Sequence, residues 1–277
     1  MKLGFHISIS GGLKNVCKRA LIRNCETIQV FSRNPRGWDY KELNDEDCTI
    51  FKEQITANDI TPVFVHLPYL INLGSNNIEL YKKSIASLIE DLKRAEKIGA
   101  QFLISHSGSN PDLDEGIEKM IQAIKSALST VDNRVIILIE NTAGGGNEFG
   151  YAFEHIKKII DGVNSNRIGM VFDTAHAFAA GYELRTEKGV DETLGILDRL
   201  VGLRRVHLVH FNDSMAEFGS RKDRHWHIGK GKIGKGMGFI INHPKLKHLP
   251  FIMETPRNDT EEDLMNMDIA RKLIKNP

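Results

Sequence analysis

The sequence predicts one α/β domain, a (β/α)8 TIM barrel that spans residues 1–277. Eight short apolar segments rich in β-branched residues alternate with amphipathic segments, which is the pattern of βα units around a parallel sheet. The length is close to the roughly 250 residues that such a barrel commonly needs. No linker rich in Pro, Gly or Ser marks a second domain. A doubly wound sheet is the alternative, but no glycine-rich phosphate motif follows the first strand.

The eight apolar segments define the predicted strands. They are Lys2–Ile7, Thr27–Phe31, Pro62–His66, Gln101–His106, Arg134–Glu140, Arg167–Asp173, Arg205–Phe211 and Pro250–Glu254. Helices are predicted between them, as in 76–98, where apolar residues recur near helical spacing and charged residues fill the other face. A last helix over 261–275 would close the outer ring.

Composition excludes several classes of protein. The net charge of +1 excludes a basic field over the whole surface, so binding to nucleic acid would need a local patch. No apolar run approaches the roughly 20 residues of a membrane span, and the first residues do not resemble a signal peptide. Cys17, Cys25 and Cys48 lack the spacing of a zinc finger or a disulfide framework. We therefore expect a cytoplasmic protein without a membrane partner.

Six predicted strands end at or just before a histidine or an acidic residue. Strands of a parallel barrel are buried on both faces and read as continuous hydrophobic runs, so these residues need a functional explanation. The carboxyl ends of barrel strands meet at one face, where active sites are built. The sequence therefore predicts a site formed by His66, His106, Glu140, Asp173, His176, His210 and Glu254.

Two further candidates stand in the loop after the seventh strand. Asp223 and His225 are spaced i, i+2, which lets both side chains reach one ion from an extended loop. His227 is an alternative to His225, because the register of this loop is open by two residues.

Two other histidines receive different assignments. His6 ends the first strand and is expected to orient a phosphate or a metal ligand rather than to bind metal. His207 is expected to face the helices, because side chains alternate along a strand and His210 is assigned inward.

The predicted site has the chemistry of a metal centre. Imidazole nitrogens combined with carboxylate oxygens, without a thiolate, favour zinc, manganese or iron over calcium or magnesium. The carboxylates of Glu140, Asp173, Asp223 and Glu254 would repel one another around a single ion. Three divalent ions would instead make the site positive, which suits an anionic phosphate.

The motifs around these residues resemble the endonuclease IV family of apurinic/apyrimidinic endonucleases, a trinuclear zinc branch of the xylose isomerase-like barrels. The resemblance runs almost from end to end. In chain order the motifs are GFHISISGGL, VFSRNPRGW, HLPYLINLGS, IENTAGGG, DTAHAFAAGYELRT, HFNDS, GSRKDRH and the closing MET.

The resemblance implies three zinc ions per chain, in sites that could also accept manganese or iron. The first ion would be bound by His66, His106 and Glu140, the second by Glu140, Asp173, His210 and Glu254, and the third by His176, Asp223 and His225. Glu140 would bridge the first two ions.

The implied activity is that of a DNA-repair hydrolase. It would cut the phosphodiester on the 5′ side of an abasic site, leaving a 3′-hydroxyl and a 5′-deoxyribose phosphate, and it would remove 3′-blocking groups. A metal-bound hydroxide would attack phosphorus, with Glu140 and Glu254 as catalytic residues.

The implied partner is double-stranded DNA that contains abasic sites. Arg36, Tyr69 and Leu70 match family positions that contact the duplex or wedge into it at the lesion. Basic residues expected to contact phosphates are Arg33, Arg36, Arg221, Lys222, Arg224, Lys230, Lys232 and Lys235.

Two other functions stay open from the sequence. A metal-dependent sugar isomerase or epimerase could use the same barrel, because a fold alone does not decide function. A DNA-damage sensor without turnover is the second. The chain is expected to be a monomer by default.

Overall fold

The computed structural model describes residues 1–256 and 259–275 and confirms the predicted barrel. The barrel strands are β1 (Lys2–His6), β2 (Thr27–Phe31), β3 (Val63–His66), β4 (Phe102–His106), β5 (Ile136–Glu140), β6 (Ile168–Asp173), β7 (Val206–His210) and β10 (Pro250–Met253). All eight pair in parallel, and β10 closes the barrel between β7 and β1. Two short strands, β8 (Asp213–Ser214) and β9 (His225–Trp226), form a separate antiparallel pair.

Helices follow the strands and cover the outside of the barrel. They are α1 (Val16–Ile22), α2 (Asp45–Ala57), α3 (Ile78–Lys97), α4 (Leu113–Thr130), α5 (Phe153–Val163), α6 (Thr174–Ala180), α7 (Glu187–Leu200), α8 (Gly236–Ile241) and α9 (Thr260–Leu273). Within the described ranges, no helix combines the length and apolar character needed to cross a membrane.

The predicted bounds coincide with the observed ones for β2 and otherwise differ by one or two residues. β5 begins at Ile136 rather than Arg134, because the preceding turn is closed by a 3.1 Å hydrogen bond from the Val135 amide to Asn133 Oδ1. The helix predicted over 76–98 is α3, and it begins after Asn77, whose side chain accepts hydrogen bonds from the first turn. Offsets of this size are normal at element ends.

Two layers of side chains that point into the barrel position the site. Residues i and i+2 of a strand share a face. The inner apolar layer consists of Phe64, Ile104, Leu138, Val171, Leu208 and Ile252, all fully buried. Two positions later in the chain stand the residues that we call the ligand layer: His66, His106, Glu140, Asp173, His210 and Glu254. The apolar layer therefore forms the floor on which the polar layer lies.

The orientation expected for His207 was wrong. The register of β6 and β7 shifts between Met170 and Val171, which leaves His207 as an extra residue on β7. Such a bulge interrupts the regular alternation of side chains. The His207 ring lies 5.3 Å from that of Phe102, which packs against the inner apolar layer. His207 therefore faces the barrel interior rather than the helices.

Candidate metal centre

The ligand layer, together with His176 and His225, forms three overlapping groups of predicted metal-binding side chains. Within each group, the candidate ligand atoms lie within 4.8 Å of one another. The first group is His66, His106 and Glu140, the second is Glu140, Asp173, His210 and Glu254, and the third is Asp173, His176 and His225. These groups correspond to the three expected ion sites, except that Asp173 rather than Asp223 completes the third.

Glu140 is shared by the first and second groups. It is fully buried at the end of β5. Its Oε2 atom lies 3.3 Å from His66 Nε2 and 3.5 Å from His106 Nε2. Its Oε1 atom lies 2.9 Å from His210 Nδ1. The two oxygens thus face different groups, which is the arrangement that a bridging ligand needs.

Asp173 and His176 are positioned by the start of α6. Asp173 is the N-cap of this helix, and its Oδ1 atom accepts a 2.7 Å hydrogen bond from the His176 amide. A capping carboxylate satisfies a helical amide that would otherwise lack a partner. The cap fixes His176 so that its Nε2 atom lies 3.3 Å from His225 Nε2. The spacing Asp-x-x-His is therefore a helix cap and a pair of candidate ligands at once.

Asp223 approaches the site from the segment between β8 and β9, and His225 is the first residue of β9. Pairing of Ser214 with His225 ties the two ends of this segment together. The Asp223 carboxylate lies 3.3 Å from His176 Nε2 and 3.4 Å from His225 Nε2, and its side chain is 52% exposed. Asp223 thus stands at the open side of the third group.

The spacing of these atoms fits metal coordination. Zinc binds nitrogen and oxygen ligands at about 2.0–2.2 Å, so two ligands of a tetrahedral ion lie roughly 3.3–3.6 Å apart. The contacts of Glu140 with His66 and His106, of Glu254 with His210, and of Asp223 with His176 and His225 measure 3.3–3.5 Å. Direct N–H···O hydrogen bonds are shorter, near about 2.9 Å. In each of the three groups, the separation of the ligand atoms therefore fits a metal ion bound between them.

Backbone carbonyls orient three of the histidines. The Nδ1 atoms of His66, His176 and His225 lie 2.6, 2.9 and 3.1 Å from backbone carbonyl oxygens. A carbonyl only accepts a hydrogen bond, so each Nδ1 atom carries the proton. The Nε2 lone pairs are thereby directed into the site, as is usual for metal-binding histidines.

His210 is oriented in the opposite sense by Gln29, which the sequence analysis missed. Gln29 is fully buried on β2, and its Nε2 atom lies 2.6 Å from Glu254 Oε1. An ionised carboxylate only accepts, so this contact fixes the amide orientation. The Gln29 Oε1 atom then accepts from His210 Nε2 at 2.7 Å. His210 therefore presents Nδ1 to the second group.

Two buried asparagines were also missed. Asn212 donates to Asp173 Oδ2 at 2.7 Å and accepts from the Glu254 amide at 2.7 Å. Asn141 exchanges hydrogen bonds of 3.0 and 2.8 Å with the backbone of Asp173. Their signal in the sequence is position, because Asn141 directly follows Glu140 and Asn212 comes two residues after His210.

The groups also perturb one another's protonation. Burial opposes protonation of His210, but the carboxylates of Glu140 and Glu254 outweigh it and raise the pKa of His210 to about 9. Burial would raise the pKa of Glu140, but His210 and His106 outweigh it and hold that pKa well below its ordinary value. Burial lowers the pKa of His106 to about 4. A metal ion that binds His210 at neutral pH must therefore displace a proton.

A cleft of about 420 Å³ opens above the ligand layer, with His6, Phe31, His106 and Thr255 in its walls. Tyr69 stands at its edge, 70% exposed, with its ring edge-on to Phe31 at 5.6 Å. Leu70 is the next exposed apolar residue. Of the predicted DNA contacts, Tyr69 thus lies beside the candidate metal groups, and Leu70 follows it in the chain.

The predicted phosphate contacts differ in exposure. Those on the surface are Arg36, Arg221, Lys222, Arg224, Lys230, Lys232 and Lys235. The Arg221 guanidinium lies 4.2 Å from the centre of the Tyr151 ring, and Arg224 donates to the Asp223 carbonyl at 2.7 Å. Arg33 is only 3% exposed and bonds to Asp91. Its prediction as a phosphate contact was wrong.

The remaining candidate histidines are also placed. The Nδ1 atom of His227 lies 3.0 Å from the side-chain nitrogen of Asn266 on α9, and His227 belongs to none of the three groups. His225 is therefore the loop histidine at the site. The Nδ1 atom of His6 lies 2.8 Å from Gln29 Nε2, at the edge of the second group.

Comparison with known proteins shows which protein family this chain is similar to. A family model described as a xylose isomerase-like TIM barrel matches residues 19–274. A probable endonuclease 4 from Methanoculleus marisnigri is 41% identical over 276 residues, which cover 98% of each chain. The crystal structure of endonuclease IV from Thermus thermophilus has a TM-score of 0.89 at 36% identity and covers 99% of this chain and 98% of its own. A D-tagatose 3-epimerase-like protein, at 18% identity and a TM-score of 0.76 over 99% and 97% of the two chains, is similar in fold alone.

Proposed function

Because the chain belongs to the endonuclease IV family of xylose isomerase-like TIM barrels, we infer that it is an apurinic/apyrimidinic endonuclease, a hydrolase of DNA repair. The observation that carries this inference is the set of three overlapping His and carboxylate groups at the carboxyl end of the barrel. Metal groups at that position suit hydrolysis of a phosphodiester.

We propose that the chain holds three zinc ions, which manganese or iron could replace. The proposed ligands are His66, His106, Glu140, Asp173, His176, His210, Asp223, His225 and Glu254. Bound zinc would supply Lewis acidity, lowering the pKa of water for attack on phosphorus and neutralising charge on the phosphate oxygens.

The side chains of the ligand layer have distinct tasks in this proposal. Glu140 would be shared by the first and second groups as a ligand, because its two oxygens face different groups. Glu254 is held by Gln29 through Oε1 while its Oε2 atom faces His210 at 3.3 Å. The inner apolar layer below excludes water from the floor of the site, which strengthens electrostatic interactions there.

The proposed substrate is double-stranded DNA with an abasic site. Turning a nucleotide out of the helix costs least where no base has to be unpaired, so an abasic site gives the easiest access to the cleft. Tyr69 and Leu70 would fill the space left in the duplex, since both are exposed, Tyr69 lines the cleft and Leu70 is its neighbour in the chain. Arg36, Arg221 and Arg224 would contact phosphates. We propose that the enzyme acts as a cytoplasmic monomer.

The reaction can be tested with a labelled duplex that carries one abasic site. We expect incision on its 5′ side, with a 3′-hydroxyl and a 5′-deoxyribose phosphate as products, and removal of 3′-blocking groups by the same preparation. A strong chelator should abolish the activity, and added zinc should restore it. Products of β-elimination, or full activity without metal, would refute the proposal.

The sugar isomerase or epimerase is disfavoured by family membership, because its structural support is similarity in fold alone. The duplex assay also separates the enzyme from a damage sensor, which would bind the abasic duplex without cutting it.

A further inference from the structure

The loop between β2 and α2, residues 32–44, carries Arg36 and begins directly above the ligand layer. Phe31, the last residue of β2, has its ring 6.0 Å from that of His66. Arg36 itself is exposed. The position of Arg36 therefore depends on what holds this loop in place.

Arg33 ties the first half of the loop together from the inside. Its Nη1 atom donates to the backbone carbonyls of Gly37 and Trp38 at 3.1 and 3.3 Å. Its Nε atom donates to Asp91 Oδ2 at 3.2 Å, and Asp91 is fully buried on α3. These carbonyls belong to the two residues that directly follow Arg36, so the guanidinium group fixes the backbone next to Arg36.

Arg94, one turn later on α3, holds the two ends of the loop. It donates to the Ser32 carbonyl at 2.6 Å and to the Lys41 carbonyl at 3.0 Å. The guanidinium groups of Arg33 and Arg94 lie 5.7 and 5.6 Å from the centre of the Tyr40 ring, within the range of cation–π attraction. We call Arg33, Asp91 and Arg94 the arginine anchor.

Folding stability alone does not explain the arginine anchor, because burying its charged groups has a free-energy cost. Burial raises the pKa of Asp91, against the opposing effect of Arg33 and Arg94. Replacing buried ion pairs by apolar residues of similar volume is often neutral or stabilising, so such groups are weak support for stability. What the anchor supplies is geometry, because a planar guanidinium group directs several donors at fixed angles.

We propose that the arginine anchor holds loop 32–44 in its DNA-binding conformation before DNA arrives, so that Arg33 is a positioning residue for Arg36. Pre-ordering a loop removes the entropy cost of ordering it during binding. The inference rests on the proposed contact between Arg36 and DNA. It also explains why an arginine in this loop is turned away from solvent, where it cannot reach a phosphate.

The test compares Arg33→Met, which removes the donors, with Arg33→Lys, which keeps the ion pair with Asp91. The control is Arg167→Met, because Arg167 donates to the carbonyls of Val131 and Val135 at the opposite end of the barrel. For Arg33→Met we expect affinity for the abasic duplex to fall about tenfold. Without the arginine, side chains of the loop must be ordered during binding, and this entropy cost lowers the binding free energy. Turnover at saturating DNA and metal content should stay unchanged. Arg33→Lys should recover much of the affinity, and Arg167→Met should bind as the wild type does.

Trp38 reports on the loop directly. In a Trp226→Phe background it is the single tryptophan. We expect Arg33→Met to lower the fluorescence anisotropy of Trp38 in the absence of DNA. Unchanged anisotropy, or equal loss of affinity in the Arg167→Met control, would overturn the proposal.

A double-mutant cycle separates this inference from the proposed role of Arg36. If the anchor acts through Arg36, then Arg33→Met should weaken binding by less than about twofold when Arg36→Ala is already present. Fully additive effects would contradict the positioning role. If Arg36→Ala alone leaves binding unchanged, the proposed DNA contact fails instead.

Discussion

Replacing Glu140 with glutamine tests the shared ligand on which the metal proposal depends. The change keeps the size of the side chain but removes its charge. Glu140 is fully buried and faces His66 and His106 with one oxygen and His210 with the other. A neutral amide is a weak metal ligand and cannot bridge two cations in the same way.

The expected magnitude follows from the ligands that remain. The first group would be left with His66 and His106, fewer than the three protein ligands that a zinc site normally has. The second group would still have Asp173, His210 and Glu254. We therefore expect one ion to be lost per chain and two to remain. An ion contributes several kcal/mol to stabilisation of the transition state, so kcat should fall about 10³-fold or more.

The assay combines elemental analysis with single-turnover cleavage of an abasic duplex. The control is Glu26→Gln at the opposite end of the barrel, where Glu26 accepts a 3.2 Å hydrogen bond from the Leu3 amide. It should retain full metal content and activity. A Glu140→Gln protein that kept all its metal, or cut within tenfold of the wild-type rate, would refute the bridging role.

Four further predictions concern the same site. Gln29→Leu should weaken metal affinity about 10–100-fold, because Gln29 is the hydrogen-bond partner of the ligands Glu254 and His210. The control Gln101→Leu should leave metal affinity unchanged. Metal titration measures both variants. His225→Ala should lose one ion while His227→Ala keeps all of them, because His227 bonds to Asn266 instead; equal losses in elemental analysis would contradict this. Metal affinity measured between pH 6.5 and 9 should rise with pH, because the pKa of His210 in the metal-free protein is raised from 6.5 to about 9 and its proton competes with the ion. Over the same window, protonated His210 stabilises the metal-free fold fully below pH 6.5, and this contribution disappears as the pH rises through 9, so the thermal midpoint should fall.

The barrel and the candidate ligands could be predicted from the sequence for one physical reason. A charged side chain at the end of a fully buried strand has no structural explanation, so residues such as His66, Glu140 and His210 were conspicuous. The two-residue period of a strand then placed them one layer above the apolar floor. Family motifs supplied the division into three ion sites.

The features that were missed depend on contacts between distant segments. Gln29 and Asn212 are neutral amides that look ordinary beside a strand, and their roles depend on Glu254, which lies 225 residues from Gln29 and 42 residues from Asn212 in the chain. The orientation of His207 was wrong because a bulge cannot be recognised from alternation alone. Arg33 looked like a surface cation because its partner, Asp91, is 58 residues away.

The most direct test of the account is anomalous diffraction at the zinc edge from crystals of the active protein. We predict three peaks in the ligand layer, one between His66, His106 and Glu140, one between Glu140, Asp173, His210 and Glu254, and one beside His176, Asp223 and His225, with bonds of about 2.0–2.2 Å. Fully active crystals with no anomalous peak in this layer, or with metal bound only by other residues, would contradict it.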